Sequence, residues 1–437
     1  MEGIQRESGC LNTFCPIASV AWLHRKIKDS FFLIVGTHTC AHFIQTALDV
    51  MVYAHSRFGF AVLEESDLVA PSLTKELESV VDQVVAEWNP KVIFVMTTCS
   101  VDILKMDLDV SCKELSKKLE FPVLPTPASG IDGIFTQGED KVLKALLPFC
   151  PKEEQETKKQ QTEERKSKWF FFNKEEESKS EKPKKANLLL LGAVTDGTAQ
   201  QLQWELKRLG IENVDVFPES DLTKMPVINE HTVIAPLQPY LNDTLATIRR
   251  ERGATVLSTL YPIGPDGTAQ FLQDICNHFN VDATAVKERE EQTWQELESQ
   301  RAMIRGKKVM FLGDNLLELP LARFLIACGA EVVEVGTPYI HNKDMKAELE
   351  RLSESKVSIV ESPDFHRQLK RIKEYDPDLI ITGLALCNPL EAMGYRTAWS
   401  IEFTFSQIHG FVNSIDLIKM FTKPLRKWQT LQEHGWN

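Results

Sequence analysis

Three cysteines in the first hundred residues occupy comparable places in the chain. Cys40 lies four residues after the glycine that ends the apolar run FFLIVG, and Cys99 follows VIFVMTT. Cys15 precedes Pro16, and proline suits the first turn of a helix. All three are expected at loop-to-helix junctions, where the partial positive charge of a helix N-terminus lowers the pKa of a thiol and favours metal binding.

The spacing of these cysteines does not by itself identify a metal site. Intervals of 25 and 59 residues match neither a zinc ribbon nor a ferredoxin motif. Cysteine is also often simply a small buried hydrophobic residue. Three ligands are one short of the four that an iron–sulfur cluster takes. The residues alone leave open whether Cys10 or a second chain supplies the fourth.

Continuous apolar runs followed by helical patterns recur along the whole chain. They occupy residues 30–54, 91–109, 186–210, 231–253, 306–336 and 377–394. Buried strands that alternate with helices of ten to fifteen residues indicate parallel sheets covered on both faces. We therefore predict three α/β domains of the doubly wound type. Cys40 and Cys99 then fall at the carboxyl ends of strands, where such sheets collect ligands.

Composition sets the predicted domain boundaries. The first domain spans residues 1–150 and carries the three cysteines. A charged insertion follows at 151–185. Of the 34 residues at 152–185, 20 are charged, so this segment has too little apolar surface to fold. The second domain spans 186–305 and ends in a long charged helix predicted at 286–306. The third spans 306–437.

Overall composition excludes several classes of protein. A net charge of −12 argues against nucleic acid as the principal partner. The sequence contains no run of eighteen apolar residues, so it predicts no membrane span. Nine cysteines, an odd number, argue against a disulfide framework. The first residues resemble neither a signal peptide nor a transit peptide, so the expected location is the cytosol or an organelle that makes the protein itself.

The common nucleotide-binding and hydrolase motifs are absent from the sequence. It contains no G-x-x-x-x-G-K-[ST], no G-x-G-x-x-G after a strand and no G-x-S-x-G. Electrons would therefore have to arrive by way of a cluster. Among the other cysteines, Cys112, Cys276 and Cys328 are expected in the core, and a functional role for Cys387 is the less favoured interpretation.

Four long segments resemble a known family. They are TFCPIASVAWLHRKIKDSFFLIVGTHTCAHFIQ, VMTTCSVDILKMDLD, FTQGEDKVL and GYRTAWSIEFTFSQIHGF. They look like the subunit N family of light-independent protochlorophyllide reductases, relatives of the nitrogenase component that houses metal clusters. The resemblance runs from about residue 8 to the end of the chain, apart from the charged insertion. It implies an oxidoreductase subunit with three α/β domains that is active only in a complex.

The resemblance also implies partners and a cofactor. A homologous B subunit would complete an N2B2 heterotetramer. Each N–B pair would hold one [4Fe–4S] cluster through Cys15, Cys40 and Cys99 and an aspartate of B, which leaves Cys10 outside the site. A separate L dimer would hydrolyse MgATP and deliver electrons, so no ATP would bind here. The implied reaction reduces the C17–C18 double bond of protochlorophyllide to chlorophyllide a, in a bacterial cytoplasm or a plastid stroma.

A flat, mostly apolar tetrapyrrole needs aromatic walls with few polar anchors. Phe14 adjoins a cluster cysteine, and the ring-rich segment 393–411 follows a strand of the third domain. The corresponding loop of nitrogenase-like relatives faces a cofactor pocket. Phe14, Trp399, Ser400 and Phe403 are therefore predicted to line the substrate pocket, with ordinary core packing as the alternative for each ring. No catalytic acid is assigned, because the family attributes protonation to the B chain and to a propionate of the substrate.

Three alternative functions are kept. A nitrogenase-related scaffold for cluster assembly would keep the cysteines but lack a pocket for a macrocycle. A chlorophyllide a reductase would share the architecture and consume a different pigment. A binding protein with incidental cysteines would be colourless when prepared without oxygen.

Overall fold

The computed structural model describes residues 4–9, 14–49, 57–63, 73–131, 133–153 and 187–435. Cys10 and nearly all of the predicted charged insertion lie outside these ranges. The described residues form three sheets in which every strand pair is parallel. The predicted α/β class is confirmed.

The first 153 residues supply five strands and six α-helices in the part that is described. The strands are β1 (Ile4–Arg6), β2 (Ser30–Gly36), β3 (Phe58–Val62), β4 (Val92–Thr97) and β5 (Val123–Pro127). The helices are α1 (Val20–Lys26), α2 (His38–Asp49), α3 (Leu73–Trp88), α4 (Cys99–Ile103), α5 (Leu108–Leu119) and α6 (Gln137–Leu146), with 3-10 turns at Pro16–Ser19 and Leu147–Phe149.

The first sheet has the strand order β3-β2-β4-β5. Its two central strands are buried along their whole length because successive side chains enter two different apolar cores. Phe32 and Phe94 face one core, where their rings stack with centroids 4.9 Å apart. Phe31 and Ile93 face the other.

The second sheet has the order β7-β6-β8-β9. Its strands are β6 (Asn187–Leu191), β7 (Val214–Phe217), β8 (Thr232–Pro236) and β9 (Thr255–Val256). The helices are α7 (Asp196–Arg208), α8 (Asn242–Glu251), α9 (Gly264–Phe279) and α10 (Thr284–Ile304), with a 3-10 turn at Leu222–Lys224. The long charged helix predicted at 286–306 is confirmed as α10, displaced by two residues.

The third sheet has the order β1-β12-β11-β10-β13-β14. Its strands are β10 (Lys308–Phe311), β11 (Glu331–Thr337), β12 (Ser358–Glu361), β13 (Leu379–Thr382) and β14 (Thr397–Trp399). The helices are α11 (Glu318–Ala327), α12 (Lys346–Ser353), α13 (Phe365–Tyr375), α14 (Leu384–Ala392), α15 (Ser400–Phe405) and α16 (Ser414–Glu433).

The strand β1 belongs to the third sheet although it precedes the first. Ile4 pairs with Ile359 and Arg6 with Glu361, so this strand forms the edge beside β12. Strand pairing therefore joins residues 4–6, which were predicted within the domain of residues 1–150, to a distant segment of the chain. The domain bounds stay predictions. Within the described ranges no helix combines the length and apolar character needed to cross a bilayer.

Each sheet has one point where the winding reverses, and there the loops after two neighbouring strands diverge to leave a crevice. In the first sheet the chain runs from β2 to β3 on one side, while β4 lies on the other. We call residues 36–40 and 97–99 at this point the first crevice. The loops after β6 and β8, residues 192–195 and 237–241, form the second crevice. The loops after β10 and β13, residues 312–317 and 383, form the third.

Candidate functional site

Two of the three cysteines lie at the first crevice. Cys40 is in the first turn of α2, directly after β2, and Cys99 is the first residue of α4, directly after β4. Thr98 closes the gap between the two strands by donating from Oγ1 to the carbonyl of Val35 at 2.9 Å. A Cβ on Gly36 would lie 2.6 Å from that Oγ1, so the crevice requires glycine there. The predicted positions of both cysteines are confirmed.

Cys15 reaches the same place from a separate segment. It directly precedes the 3-10 turn that begins at Pro16, as the sequence predicted. Gly130 lies between Cys15 and Cys99: its backbone N–H donates to Cys99 Sγ at 3.2 Å, and a Cβ added to it would lie 2.8 Å from Cys15 Cβ. Glycine at position 130 therefore lets these two cysteines approach each other.

Ring packing joins the helix of Cys40 to the segment of Cys15. The rings of Phe14 and Phe43 lie 5.2 Å apart at their centroids. Phe14 precedes Cys15, and Phe43 lies three residues after Cys40, a spacing that places both on one face of a helix. The three cysteines are half-buried, whereas the other described cysteines are buried: Cys112, Cys150, Cys276, Cys328 and Cys387.

The pKa of Cys15 is raised to about 12: burial is the largest cause, the backbone N–H of Ile17 lowers the pKa, and negative charge at Cys40 and Cys99 adds to the rise. The lowering expected from a helix N-terminus is present at Cys15, but burial outweighs it. The reason is that one short turn of four residues offers too few N–H groups to offset the loss of water. A bound metal would reverse this balance, because a coordinating thiol is deprotonated outright.

The three thiols are the ligand type that a multi-iron group takes. Among the residues that the structure describes, no three His, Cys, Asp or Glu side chains are grouped closely enough for one metal ion. A cluster needs no such grouping, because its cysteines bind different irons. Three half-buried thiols from three separate segments, with a backbone N–H directed at one sulfur, match that requirement.

The four predicted substrate residues have different surroundings. Phe14 is 8% exposed, whereas Trp399, at the end of β14, is 38% exposed. Ser400 lies at the third crevice, where its Oγ donates to Asp314 Oδ2 at 2.7 Å. Phe403 is 1% exposed and stacks on Phe421 with centroids 4.6 Å apart. The structure therefore places Phe403 in the core of this chain and leaves Trp399 accessible.

The sequence-based prediction missed a series of rings that connects the cysteines of the first crevice with α15. Phe14 packs on Phe135 at 5.9 Å, Phe135 on Trp22 at 6.3 Å, and Trp22 on Phe405 at 5.7 Å between centroids. Together with Phe43, we call these residues the ring series. It extends from the cysteines of the first crevice to the last residue of α15.

Spacing offered a signal for part of this series. Trp22 lies seven residues after Cys15, and Phe43 lies three after Cys40. Residues at such spacings lie on one helix face, so a ring there lies on the same side as the cysteine. Trp22, Phe43 and Phe405 are all partly exposed. Phe43 adds an accessible apolar surface beside the thiols, and Trp22 and Phe405 continue it toward α15.

The sequence of this chain matches known proteins over most of its length. The sequence model of the nitrogenase component 1 type oxidoreductases matches residues 15–426. The chain is 70% identical over 436 residues to light-independent protochlorophyllide reductase subunit N of Heliobacterium mobile, covering 100% of this chain and 98% of that protein. It is 43% identical to the subunit N of Auxenochlorella protothecoides, covering 99% and 96%.

The chain belongs to the subunit N family of light-independent protochlorophyllide reductases, within the nitrogenase component 1 type oxidoreductases. The fold agrees. Nitrogenase Cp1 at pH 6.5 superposes with a TM-score of 0.74 at 15% identity, over 97% of this chain and 95% of that one. The family drawn from the sequence motifs, the nitrogenase component 1-like fold and the oxidoreductase class are confirmed.

Proposed function

We propose that this chain, together with a B subunit, holds a [4Fe–4S] cluster and reduces the C17–C18 double bond of protochlorophyllide to chlorophyllide a. Cys15, Cys40 and Cys99 supply three ligands, and an aspartate of B supplies the fourth. An L dimer that hydrolyses MgATP delivers the electrons to the N2B2 complex. The complex works in the cytoplasm of a photosynthetic bacterium or in a plastid stroma.

The observation that carries this proposal is the meeting of three half-buried thiols beside accessible rings. Cys15 and Cys99 approach each other across Gly130, and Cys40 lies at the neighbouring strand end. The relatives named above are reductases of this pigment. A thiol site that adjoins an apolar wall is what electron transfer to a flat macrocycle requires.

The residues of this chain divide the work. The three cysteines hold the cluster, which supplies electrons when bound. The N–H of Gly130 donates to the sulfur of Cys99 and so offsets part of its negative charge. Phe14 and the ring series exclude water beside the thiols. Trp399, which is accessible, contacts the pigment, and the buried Ser400 holds the start of α15 through Asp314.

Phe403 has an indirect part in this proposal. Its ring stacks on Phe421 of α16, so it holds α15 in place rather than touching pigment from this chain. Protonation of the reduced ring is left to the B chain and the substrate, as the family resemblance implies. This chain alone is therefore expected to be inactive.

The test is co-expression with a homologous B chain in the absence of oxygen. Iron content, the electron paramagnetic resonance of the reduced complex and pigment conversion with L are measured for the wild type, Cys15→Ala, Cys40→Ala and Cys99→Ala. Each of the three variants should lose the cluster signal and conversion. Cys276→Ala, which removes a thiol buried in the second domain, is the matched control and should keep both.

Different results would contradict different parts of the proposal. A full cluster in all three variants would remove the ligand assignment. A cluster without pigment turnover in the wild type would favour the assembly scaffold. Consumption of chlorophyllide a in place of protochlorophyllide would identify the sister enzyme.

A further inference from the structure

The first turn of α6 carries a carboxylate that is completely buried. Glu139 is 0% exposed, and its oxygens accept hydrogen bonds from three different segments. Trp22 Nε1 donates to Oε2 at 2.7 Å, the backbone N–H of Ala193 donates to Oε1 at 2.7 Å, and the hydroxyl of Tyr240 donates to Oε2 at 3.4 Å. A buried side chain with this many donors is a fixed junction.

This junction lies in the second crevice. Ala193 follows β6 and Tyr240 follows β8, the two strands between which the second sheet would take a ligand. The next residue of α6, Asp140, accepts from the backbone N–H groups of Asp243 and Thr244 at the start of α8, both at 2.8 Å. Two carboxylates of the first domain therefore occupy the place where a doubly wound sheet binds an anion.

The remaining donor to Glu139, the indole of Trp22, belongs to the ring series. Trp22 contacts Phe135 on one side and Phe405 on the other. Phe135 in turn contacts Phe14, the neighbour of Cys15. The orientation of the Trp22 indole therefore affects both the wall beside the thiols and the end of α15.

We propose that Glu139 is a positioning residue for the pigment site, which holds the Trp22 indole in the ring series while it fixes the first domain against the second. This inference rests on the proposed function, because it names what the ring series does for pigment binding. Burial raises the pKa of Glu139 to about 7, so the carboxylate is mostly ionised at pH 8 and accepts from all its donors.

A glutamine at position 139 separates these roles. Its amide offers one oxygen and one NH2 group, so it cannot accept from both Trp22 and Ala193. The N–H of Ala193 is fixed by the backbone, whereas the indole of Trp22 is partly exposed and can move. The NH2 of glutamine should therefore face the indole N–H and displace the ring.

The experiment is a double-mutant cycle at pH 8 on the full chain in complex with a homologous B chain. Binding of protochlorophyllide is followed by absorbance for the wild type, E139Q, W22F and E139Q/W22F. E139Q should weaken binding roughly tenfold in the wild-type background. In the W22F background it should have little effect, because phenylalanine keeps a ring in the series and carries no N–H.

A second cycle with Y240F provides the matched control. This variant removes another donor from the same carboxylate but leaves the ring series intact, so E139Q should still weaken binding in the Y240F background. Equal weakening in all three backgrounds, or none in the wild type, would overturn the proposal and leave Glu139 with a purely structural part.

Failure of the proposed function would give a different result. If the wild-type complex binds no protochlorophyllide, the pigment assignment has failed. The same variants are then compared by chemical unfolding of the full chain. E139Q must couple more strongly to W22F than to Y240F if Glu139 positions the indole, and equal or weaker coupling to W22F would reject it.

Discussion

The first and second crevices share one topology and have opposite contents. In both sheets the two strands at the switch point end side by side, and a helix begins shortly after each. The first crevice presents thiols that remain half-buried, with Cys40 and Cys99 at the helix starts. The second is filled by Glu139 and Asp140 of α6.

This difference shows how two sheets of the same topology can take different roles, depending on whether side chains of the same protein occupy the crevice. Parallel sheets leave a polar gap at each switch point, where backbone N–H groups need partners. In the second crevice buried carboxylates of α6 supply those partners, which joins α6 to the loops of the second sheet and leaves the gap closed. In the first crevice the hydroxyl of Thr98 donates to the carbonyl of Val35, the sulfur of Cys99 accepts from the N–H of Gly130, and the three cysteines stay half-buried. The first crevice is therefore suited to chemistry, and the second is suited to holding other residues in position.

The largest effect is expected from a methyl group in the first crevice. In Gly130→Ala, the added Cβ would lie 2.8 Å from Cys15 Cβ and 3.7 Å from Cys99 Sγ, so the two cysteines must separate. We expect the anaerobic N–B complex to lose most of its bound iron while the far-ultraviolet circular dichroism stays unchanged. Iron content near the wild-type value would show that the first crevice tolerates a wider spacing than proposed.

The junction between the two crevices should be the next most sensitive place. A Cβ on Gly138, the residue before Glu139, would overlap the carbonyl oxygen of Pro16 and Oγ of Ser19. Because α6 would have to move away from the turn after Cys15, Gly138→Ala should lower the free energy of unfolding by about 3 kcal/mol. Chemical denaturation of the full chain measures this.

A glycine in the first turn of another helix provides the control for that change. A Cβ on Gly197, in the first turn of α7, meets nothing within 4 Å. Gly197→Ala should therefore raise the free energy of unfolding by at most about 1 kcal/mol, through helix propensity alone. If both alanines had the same small effect, α6 would not be clamped against the segment of Cys15.

Much of the first crevice could be predicted from the sequence because its signals are local. Apolar runs that end just before Cys40 and Cys99 indicate strands followed by helices, and that order alone places both residues at one sheet edge. The meeting of Cys15 with these two cysteines needed the family resemblance, since its approach across Gly130 depends on tertiary packing. The edge strand β1 was missed because three residues are too few to show a period or a partner.

The second crevice could not be predicted in the same way. Glu139 and Asp140 lie in the first turn of α6, where acidic residues are common and usually face solvent near the positive end of the helix. Their burial follows from the loops after β6 and β8, which come at least fifty residues later. Phe403, for which pocket lining and core packing were both kept, shows a related limit. Ring content predicted a pocket, but the position along α15 decided which ring faced Phe421.

The smallest effect expected is a pH dependence of the free energy of unfolding that comes from Glu139 in the second crevice. Burial raises the pKa of Glu139 to about 7 from a usual value of 4.5. The folded chain therefore binds this proton more tightly than the unfolded chain, so the stability from Glu139 is largest below pH 4.5 and falls as pH rises through 7. Glutamine has no such proton, so the stability advantage of the wild type over Glu139→Gln should shrink by on the order of 2 kcal/mol between pH 5.5 and 8.

The charged groups around Glu139 allow this difference to be isolated. Asp140, whose pKa burial raises to about 6, and Tyr240, whose pKa burial raises well above 10, are present in both proteins. Their own titration therefore largely cancels in the comparison. Glu212→Gln, an exposed change shortly before β7, should leave the pH profile of the wild type unaltered. A constant gap between wild type and Glu139→Gln would mean that water reaches the second crevice, and that Glu139 does not fill it as a dry, fixed junction.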